Sequence, residues 1–443
     1  MFGSREPTTI AVWCGLLGLG LVLASPKRLQ KGHWFVLSGL AFVALCFGFV
    51  LHEQLSDHPW IAAFNPVWAK ASEALGQQLV PSVSIVRGQP FFAIGSPLAN
   101  MLALLLGLIV GVDSDRARRG VRVMAWAGVG YAVYGILALL LDPTEILWRE
   151  KTAYIGNLTA TFINRNTAAA YLGSCSAVWL ILLMSAIRKI LPRGAIEWKK
   201  VPHYLLVETR KDVLIRFVML FVCLSAMFMT SSRGGVLVSL AVLILAFMIY
   251  FGRDLSRKGL AVSLVACVTT GLFLLQILGG NIGARIDIQG LSDAGRLSAY
   301  RSTLKIIADN PWFGTGLGTF AFSFPAYRSD DISMWGVWDI AHNTHLEFAS
   351  EMGIPLALIV AMAWIAAVIL LSLGLRGRRH NIVAPLSALA VSLIALLHSS
   401  IDFSLQVAGY SIVVFALLGL GLSQAIRRDK RADVARQPGL VYP

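Results

Sequence analysis

The amino-acid sequence predicts an all-α, polytopic integral membrane protein, built as a helical bundle with one long, partly helical loop on the side away from the cytoplasm. Hydrophobic residues make up 56% of the 443 residues and charged residues only 14%, whereas about a quarter of the residues in a globular protein are charged. Apolar stretches of about 20 residues, the length that crosses a ~30 Å hydrocarbon core, recur from end to end. Because lipid leaves backbone amides without water, continuous apolar runs of this kind cross it as helices.

About eleven such spans, within a range of ten to twelve, form a single membrane domain over residues 1–443. They are predicted at residues 8–24, 34–51, 92–112, 121–141, 167–187, 213–230, 235–252, 259–279, 354–375, 382–400 and 405–424. The first span is interpreted as a membrane helix and not as a cleaved signal peptide, because Lys27, Arg28 and Lys31 follow it, whereas a signal peptide has its basic residues in front.

The distribution of Lys and Arg predicts the orientation, since cytoplasmic loops carry the excess. A cytoplasmic basic tail, 427–443, places five connections on the same side: 25–33, 113–122, 188–216, 253–258 and 376–380. The tail and these five connections together hold 26 of the 38 basic and 8 of the 24 acidic residues. The formal net charge is therefore +18 on the inner side and −4 on the outer side. The formal net charge of +14 is therefore a topology signal and argues against nucleic acid as a partner. All five cysteines lie in apolar spans without a CxxC pair, so neither a disulfide framework nor a cysteine metal site is predicted.

Two outer loops are large enough to fold. The first, 52–90, contains a predicted short surface helix at 67–79. The second, 280–353, is much longer than an ordinary connection and rich in aromatic residues, which disordered segments lack. In it, apolar side chains recur at a spacing of three and four residues, at Leu297, Tyr300, Leu304 and Ile307, and this spacing predicts a helix over 294–309. Asn310-Pro311 ends that helix, and three glycines, Gly314, Gly316 and Gly318, predict turns after it.

Ionisable residues at the membrane rim are the first functional candidates, because placing a charge there is costly. Arg233 lies between two spans, flanked by glycine, and its guanidinium is suited to paired hydrogen bonds with a phosphate. An arginine that reaches the lipid headgroups from a tight turn explains the position equally well. Arg296 and Arg301 make the loop helix partly basic, for which an ordinary solvated face is the usual explanation.

A histidine pair, His342 and His345, opens the ninth span. Either imidazole is able to act as a general base near neutral pH. A zinc site would need a clear third ligand, so no metal is predicted. Glu347 and Glu351 share another face of the same helix.

Two further pairs lie at the rim. His398 and Asp402, four residues apart, suit a hydrogen-bonded pair that positions substrate or satisfies a buried polar site, and the structural role is slightly favoured. Asn164 and Asn166 precede the fifth span and suit sugar hydroxyls, although Asn166 is also well placed to cap the helix.

Taken together, the order of these segments over residues 162–419 resembles the O-antigen ligase and polymerase superfamily, the membrane enzymes that move glycans off undecaprenyl pyrophosphate. The resemblance is carried by Asn164-x-Asn166, Ser232-Arg233-Gly234, Gly295-Arg296, Asn310-Pro311-x-x-Gly314-x-Gly316, His342-Asn343 and His398-x-x-x-Asp402.

The resemblance implies a glycosyltransferase of the bacterial inner membrane with its active site in the periplasm. It implies that Arg233 and Arg296, with Arg301, grip the donor pyrophosphate and that His342 activates the acceptor hydroxyl. Weaker extrapolations to substrate binding concern Asn164, Asn166, Asn343, Glu347, His398 and Asp402. Arginines and a base supply what the chemistry needs, so no cofactor is predicted, and attack opposite the lipid phosphate inverts the anomeric carbon.

The donor is predicted to be a glycan on undecaprenyl pyrophosphate, and the acceptor either lipid A core or a growing polysaccharide. The ligase pattern of His, Asn, nine residues and Gly is met by His342, Asn343 and Gly353, but Leu356 stands where ligases usually carry Gly, Thr or Tyr. That departure favours a polymerase. A transporter or flippase of lipid-linked glycans is the alternative, and an inactive scaffold is a third; the polar groups gather at one rim without internal repeats, which favours the enzyme.

Overall fold

A computed structural model describes residues 6–25, 29–191, 211–252, 254, 256–278, 294–332, 338–376 and 381–427. The predicted tail 427–443, apart from Arg427, and residues 280–293 and 333–337 of the long loop lie outside the described residues. In chain order the helices are α1 (Pro7–Leu23), α2 (Lys31–Leu55), α3 (Val67–Leu75), α4 (Gln89–Ala93), α5 (Gly95–Gly111), α6 (Ser114–Leu141), α7 (Arg165–Ile190), α8 (Lys211–Met229), α9 (Arg233–Phe251), α10 (Arg257–Leu278), α11 (Ala294–Asp309), α12 (Phe320–Ser323), α13 (Thr344–Met352), α14 (Ile354–Leu375), α15 (Val383–Ser399) and α16 (Ala408–Ala425). Short 3-10 turns lie at Phe324–Ala326 and Ser404–Gln406, and a two-stranded antiparallel hairpin joins β1 (Glu145–Ile146) to β2 (Arg149–Glu150).

The all-α, polytopic membrane fold is confirmed, because each predicted span coincides with a helix in the described part of the chain. There, 8 helices are long and apolar enough to cross a membrane, with α4 and α5 running together as Gln89–Gly111. Three shorter apolar stretches, Pro7–Leu23, Ala261–Gly271 and Val383–Ser399, correspond to the remaining predicted spans. The total of eleven crossings stays a prediction.

The centre of the bundle is formed by α7 and α16. In the apolar stretch of each helix, 83% of the residues of α7 and 78% of those of α16 are buried within the protein, against 11% for α2 at the periphery. Helices in lipid associate largely through van der Waals packing, so small residues at their crossings allow the backbones to approach. Gly107 of α5 and Gly419 of α16 have this role, since a Cβ on either would overlap the backbone of the other helix.

The two outer loops are interlocked at one end of the bundle. Gln54, fully buried at the end of α2, donates through Nε2 to the carbonyls of Phe313 at 2.7 Å and Glu351 at 2.8 Å. Its Oε1 accepts from the backbone N–H of Leu317 at 3.0 Å. The neighbouring Glu53 carboxylate accepts three backbone N–H groups from the segment Trp60 to Ala62. The first loop and the long loop therefore form one cap.

The predicted helices in the loops are present. The first-loop helix ends at Leu75, four residues earlier than predicted, and α11 has the predicted bounds. Of the residues whose spacing predicted α11, Leu297 and Leu304 are 49% and 52% exposed, whereas Ile307 is buried. Ala299 and Ile306 are fully buried and pack in the cluster that contains Phe320 and Phe324.

The glycine-rich turns after α11 are confirmed. Gly314, Gly316 and Gly318 have φ angles of +68°, +111° and +74°, a region that favours glycine. A Cβ on Gly314 would also overlap the backbone of Glu351, and one on Gly316 would overlap Ser84 of the first loop. The glycines thus allow the turn to lie against both α13 and the first loop.

We expect Gly419→Ala to destabilise the bundle, because the added methyl overlaps the backbone of α5. Overpacking of this kind costs about 1–3 kcal/mol. The measurement is the thermal unfolding midpoint of the purified protein in detergent. Gly130→Ala in α6 is the control, since nothing lies within 4 Å of its added Cβ. Equal midpoints for the two variants would contradict the proposed backbone contact.

Candidate active site

The candidate site is built around Asp402, in the connection between α15 and α16. Its side chain is 1% exposed. Oδ2 accepts a hydrogen bond from Asn166 Nδ2 at 2.6 Å and one from Arg296 Nη2 at 3.3 Å, and Oδ1 accepts from the backbone N–H of Phe403 at 2.8 Å. A buried charge is costly unless it is paired and hydrogen-bonded, so these partners are what allows the carboxylate to lie there.

Arg296, in the first turn of α11, binds two groups of this connection. Nη1 donates to the carbonyl of Ile401 at 2.7 Å while Nη2 faces the Asp402 carboxylate. The planar fork of a guanidinium suits such paired contacts. The arginine therefore attaches the helix of the long loop to the end of the membrane bundle, with 26% of its side chain still exposed.

His342 lies on the other side of the carboxylate. Its Nδ1 is 3.8 Å from Asp402 Oδ1, within range of an ion pair but too long for a hydrogen bond. Within the described part of the chain, this buried Nδ1 has no hydrogen-bond partner. The ring is packed edge-on between Trp338 and Phe403, at centroid distances of 5.4 and 5.2 Å.

The backbone of His342 is strained and held from several sides. Its φ of +54° is unusual for a residue with a side chain, and such strain persists only where the surroundings enforce it. Tyr300 of α11 donates its hydroxyl to the His342 carbonyl at 2.9 Å. Glu347, buried in α13, accepts the backbone N–H of Ala341 at 2.7 Å, and Asn343 donates to the carbonyl of Ser400 at 2.9 Å.

Burial alone would raise the pKa of Asp402. His342 and the charge of Arg296 act in the opposite direction, with a smaller contribution from His398, and hold the pKa at about 2. Asp402 is therefore an anion at neutral pH, and it lies where it can stabilise positive charge on both Arg296 and His342.

Asn166 links the carboxylate to a third helix. Its Nδ2 donates to Asp402, and its Oδ1 accepts from the hydroxyl of Ser232 at 2.8 Å. The Ser232 hydroxyl oxygen in turn caps α9, because it accepts from the backbone N–H of Gly235 at 3.3 Å. The expectation that Asn166 caps α7 is wrong. Asn164 is the cap, because its Oδ1 accepts from the N–H groups of residues 166 and 167 at 2.6 and 3.2 Å.

Arg233 is the first residue of α9; it follows the cap residue Ser232, and the residue before the cap, Ser231, has a φ of +54°. The glycines after it permit close packing: a Cβ on Gly234 would lie 2.6 Å from Ile401 Cδ1, and one on Gly235 would overlap Ala169 of α7. Arg233 therefore lies between Ser232, which donates to Asn166, and Gly234, which packs against Ile401, the residue before Asp402. The structure thus places Arg233, Arg296 and His342 at one end of the bundle.

The remaining predicted site residues lie elsewhere or have structural partners. His398 is fully buried, and its Nδ1 bonds to Ser404 Oγ at 2.6 Å. No hydrogen bond joins it to Asp402 among the described residues, so the predicted pair does not form. Asn343 caps α13 by accepting from two backbone N–H groups. Arg301 is exposed on α11, and it is not among the described contacts of Asp402, which are Asn166, Arg296, His342 and Phe403.

Sequence reasoning missed three residues of this site. Tyr300 was used only in the spacing that predicts α11, Ser232 was treated only as a neighbour of Arg233, and Phe403 was not considered. Each acts through a contact with a residue distant in sequence. Their adjacency to charged candidates was the only available signal.

Residues 218–361 match the O-antigen ligase family (Wzy_C). The matched segment confirms the predicted superfamily resemblance and contains Arg233, Arg296 and His342. Asn166 and Asp402 lie outside it and are brought to these residues by the fold. A search of curated proteins found no significant match.

We expect Asp402→Asn to lower the free energy of unfolding by about 2 kcal/mol at pH 6, since the pKa shift from the usual 3.8 to about 2 reflects stabilisation of the anion. The folded-state pKa is lowered, so this contribution is fully present above about pH 4 and is lost as the pH falls toward 2. Thermal unfolding midpoints of wild type and Asp402→Asn, measured between pH 2 and 8, should differ by a constant amount at neutral pH and converge only below about pH 4. Asp330→Asn, at an exposed position, is the control; a difference independent of pH would contradict the assignment.

Proposed function

We propose that this protein, a membrane glycosyltransferase of the O-antigen ligase and polymerase type, transfers a glycan from undecaprenyl pyrophosphate to an acceptor hydroxyl at the periplasmic face of the bacterial inner membrane. The observation that carries the proposal is the convergence of Arg296, His342 and Asp402. Arg233 lies at the same end of the bundle, and all four residues come from different segments of the chain.

The donor pyrophosphate is held by Arg233 and Arg296. As the bond between the anomeric carbon and the phosphate oxygen breaks, negative charge develops on the leaving undecaprenyl pyrophosphate, and positioned cations stabilise it. Arginine suits this task because its fork binds phosphate oxygens in pairs. Arg296 is held by Asp402 and the Ile401 carbonyl, so its guanidinium is oriented before the donor arrives.

His342 is the general base. It takes the proton of the acceptor hydroxyl while the hydroxyl oxygen attacks the anomeric carbon on the face opposite the pyrophosphate, which inverts that carbon. The imidazolium formed lies beside the Asp402 anion, at 3.8 Å in the structure. Asp402 therefore stabilises the charge that the proton transfer creates, and Asn166 and Arg296 hold Asp402 in place.

The periplasmic location rests on charge. The connections assigned to the cytoplasm carry +18 and those on the other side −4, and the proposed site lies at the end formed by the two outer loops. By the positive-inside rule, this charge difference supports an orientation with this end in the periplasm and the C-terminal tail in the cytoplasm. A site at this end of the bundle lies at the membrane surface, where a lipid-linked donor can reach it.

The acceptor is either lipid A core or a growing polysaccharide. Leu356, which departs from the ligase pattern, is 1% exposed and packs with Val50, Leu317 and Met352 under the cap. It is a packing position, and its departure from the ligase pattern is still what favours a polymerase. Transfer to lipid A core by the purified protein would identify a ligase, and chain extension without that acceptor a polymerase.

We expect His342→Ala to lower the rate of glycan transfer by a factor of about 10²–10⁴, the range for loss of a general base, and Arg233→Ala by about 10²–10³, as for loss of a positioned charge stabiliser. The measurement is release of undecaprenyl pyrophosphate from an undecaprenyl-pyrophosphate glycan by purified protein in detergent.

The matched controls are His345→Ala and Arg87→Ala. His345 is an exposed histidine of α13 that faces the carbonyl of Leu396, and Arg87 pairs with Asp57 on the surface of the first loop. Both should retain more than half of the wild-type rate. Full activity in His342→Ala and Arg233→Ala would show that the site is wrong. Movement of lipid-linked glycan across liposome membranes without transfer would instead identify a transporter.

A further inference from the structure

Large apolar side chains are exposed at one edge of the cap and have no part in the chemistry proposed above. Trp60 and Ile61 of the first loop are 71% and 72% exposed, and Trp312 of the long loop is 71% exposed. Single exposed apolar residues are ordinary on a protein surface, whereas contiguous ones mark an interface with a protein or a membrane. The positions of these three residues decide between the two.

The segment with Trp60 and Ile61 is fixed at the end of α2. The buried Glu53 carboxylate accepts the backbone N–H of Trp60 at 3.0 Å and that of Ile61 at 3.0 Å. The Trp60 ring lies against His52 and Phe49 of α2, at centroid distances of 4.1 and 6.1 Å. Both exposed side chains are therefore held beside the last turns of α2.

Trp312 is fixed in a similar way at the start of α14. The carbonyl of Pro311 accepts the backbone N–H of the first residue of α14 at 2.8 Å, and a Cβ on Gly353 would overlap the carbonyl of Trp312. Phe313, the next residue, contacts the same phenylalanine ring of α2 as Trp60, at a centroid distance of 6.2 Å. Both tryptophans therefore lie where the ends of α2 and α14 meet.

These two helices face lipid more than the others do. Among the 8 membrane-length helices of the described residues, α2 and α14 are the least buried, at 11% and 17%. On α14 the exposed apolar side chains recur every three or four residues and form one stripe: Ile354, Leu358, Met362, Ile365, Ile369 and Leu373. The stripe begins at the residue that is bonded to Pro311. The exposed tryptophans therefore extend a lipid-facing surface beyond the ends of its helices.

The surroundings of this edge match the boundary between acyl chains and headgroups. Tryptophan suits that boundary because its ring is apolar and its N–H requires a polar partner. Asp57, three residues before Trp60, pairs with Arg87 at 2.6 Å, and both side chains are exposed. Charged groups of this kind stay in water or among headgroups. The surface thus changes from apolar to charged within a few residues.

We propose that Trp60, Ile61 and Trp312 form a lipid-binding edge, which inserts into the headgroup boundary of the leaflet at the capped end of the bundle. Lipid is favoured over a partner protein because the edge begins where the lipid-facing stripe of α14 ends. The inference goes beyond the proposed glycosyl transfer and does not depend on it. Insertion fixes the height of the long loop relative to the membrane surface.

The test places a fluorescent label on the edge of the full-length protein in nanodiscs of phosphatidylethanolamine and phosphatidylglycerol. Ile61→Cys carries a nitrobenzoxadiazole label, and wild-type protein treated with the same reagent gives the background from the native cysteines. Interfacial insertion places side chains about 5–10 Å into the boundary, so we expect dithionite in the water to reduce this label roughly tenfold more slowly than a label at an exposed position. Lipids with a nitroxide near the headgroup end of the acyl chain should quench it more strongly than lipids with one near the methyl end.

Asp330→Cys is the matched control, because Asp330 is an exposed acidic position of the long loop. Its label should be reduced rapidly and should not be quenched by either lipid. Trp312→Cys is the second edge position, and it decides alone if Ile61→Cys does not fold, as judged by size-exclusion chromatography.

Reduction at the edge positions as fast as at Asp330→Cys would show that the edge lies in water and would overturn the proposal. Slow reduction without quenching by lipid would also overturn it, because a second copy or a partner protein would then cover the edge.

Discussion

The candidate site depends on one constraint, the need to stabilise a carboxylate buried at the end of a membrane bundle. Asp402 cannot lie there as an anion without compensation. Its partners come from three other segments: Asn166 from α7, Arg296 from the long loop and His342 from the approach to α13. The charge that is costly to bury is therefore also the point that brings together residues separated by more than 200 positions in sequence.

Membrane helices were largely predictable because their constraint is local. Each span must supply its own backbone hydrogen bonds and its own apolar length, and both are visible in a stretch of about 20 residues. The bounds of α11 were equally visible, since Asn310-Pro311 ends it. The spacing of its apolar residues did not show which of them are covered, because Leu297 and Leu304 are exposed while Ala299 packs in the core. Which face of a loop helix is covered depends on what lies against it.

The site was predicted in its residue types but not in its pairings. His398 and Asp402 are four residues apart, a spacing that brings side chains together only on a continuous helix. Here α15 ends at Ser399, so Asp402 lies beyond the helix and His398 bonds to Ser404 instead. Similarly, α7 begins at Arg165, which makes Asn164 its cap and leaves Asn166 to bridge Ser232 and Asp402. A shift of one or two residues in a helix end thus decides the role of an asparagine.

The contacts of Gln54 have a consequence for which changes the long loop can tolerate. Every bond that its side chain makes to the long loop is to a main-chain atom: the carbonyls of Phe313 and Glu351 and the N–H of Leu317. Main-chain atoms are the same whatever side chains the loop carries. Loop side chains can therefore be replaced without removing these bonds to Gln54, whereas grafting one loop without the other would separate the glutamine from its partners.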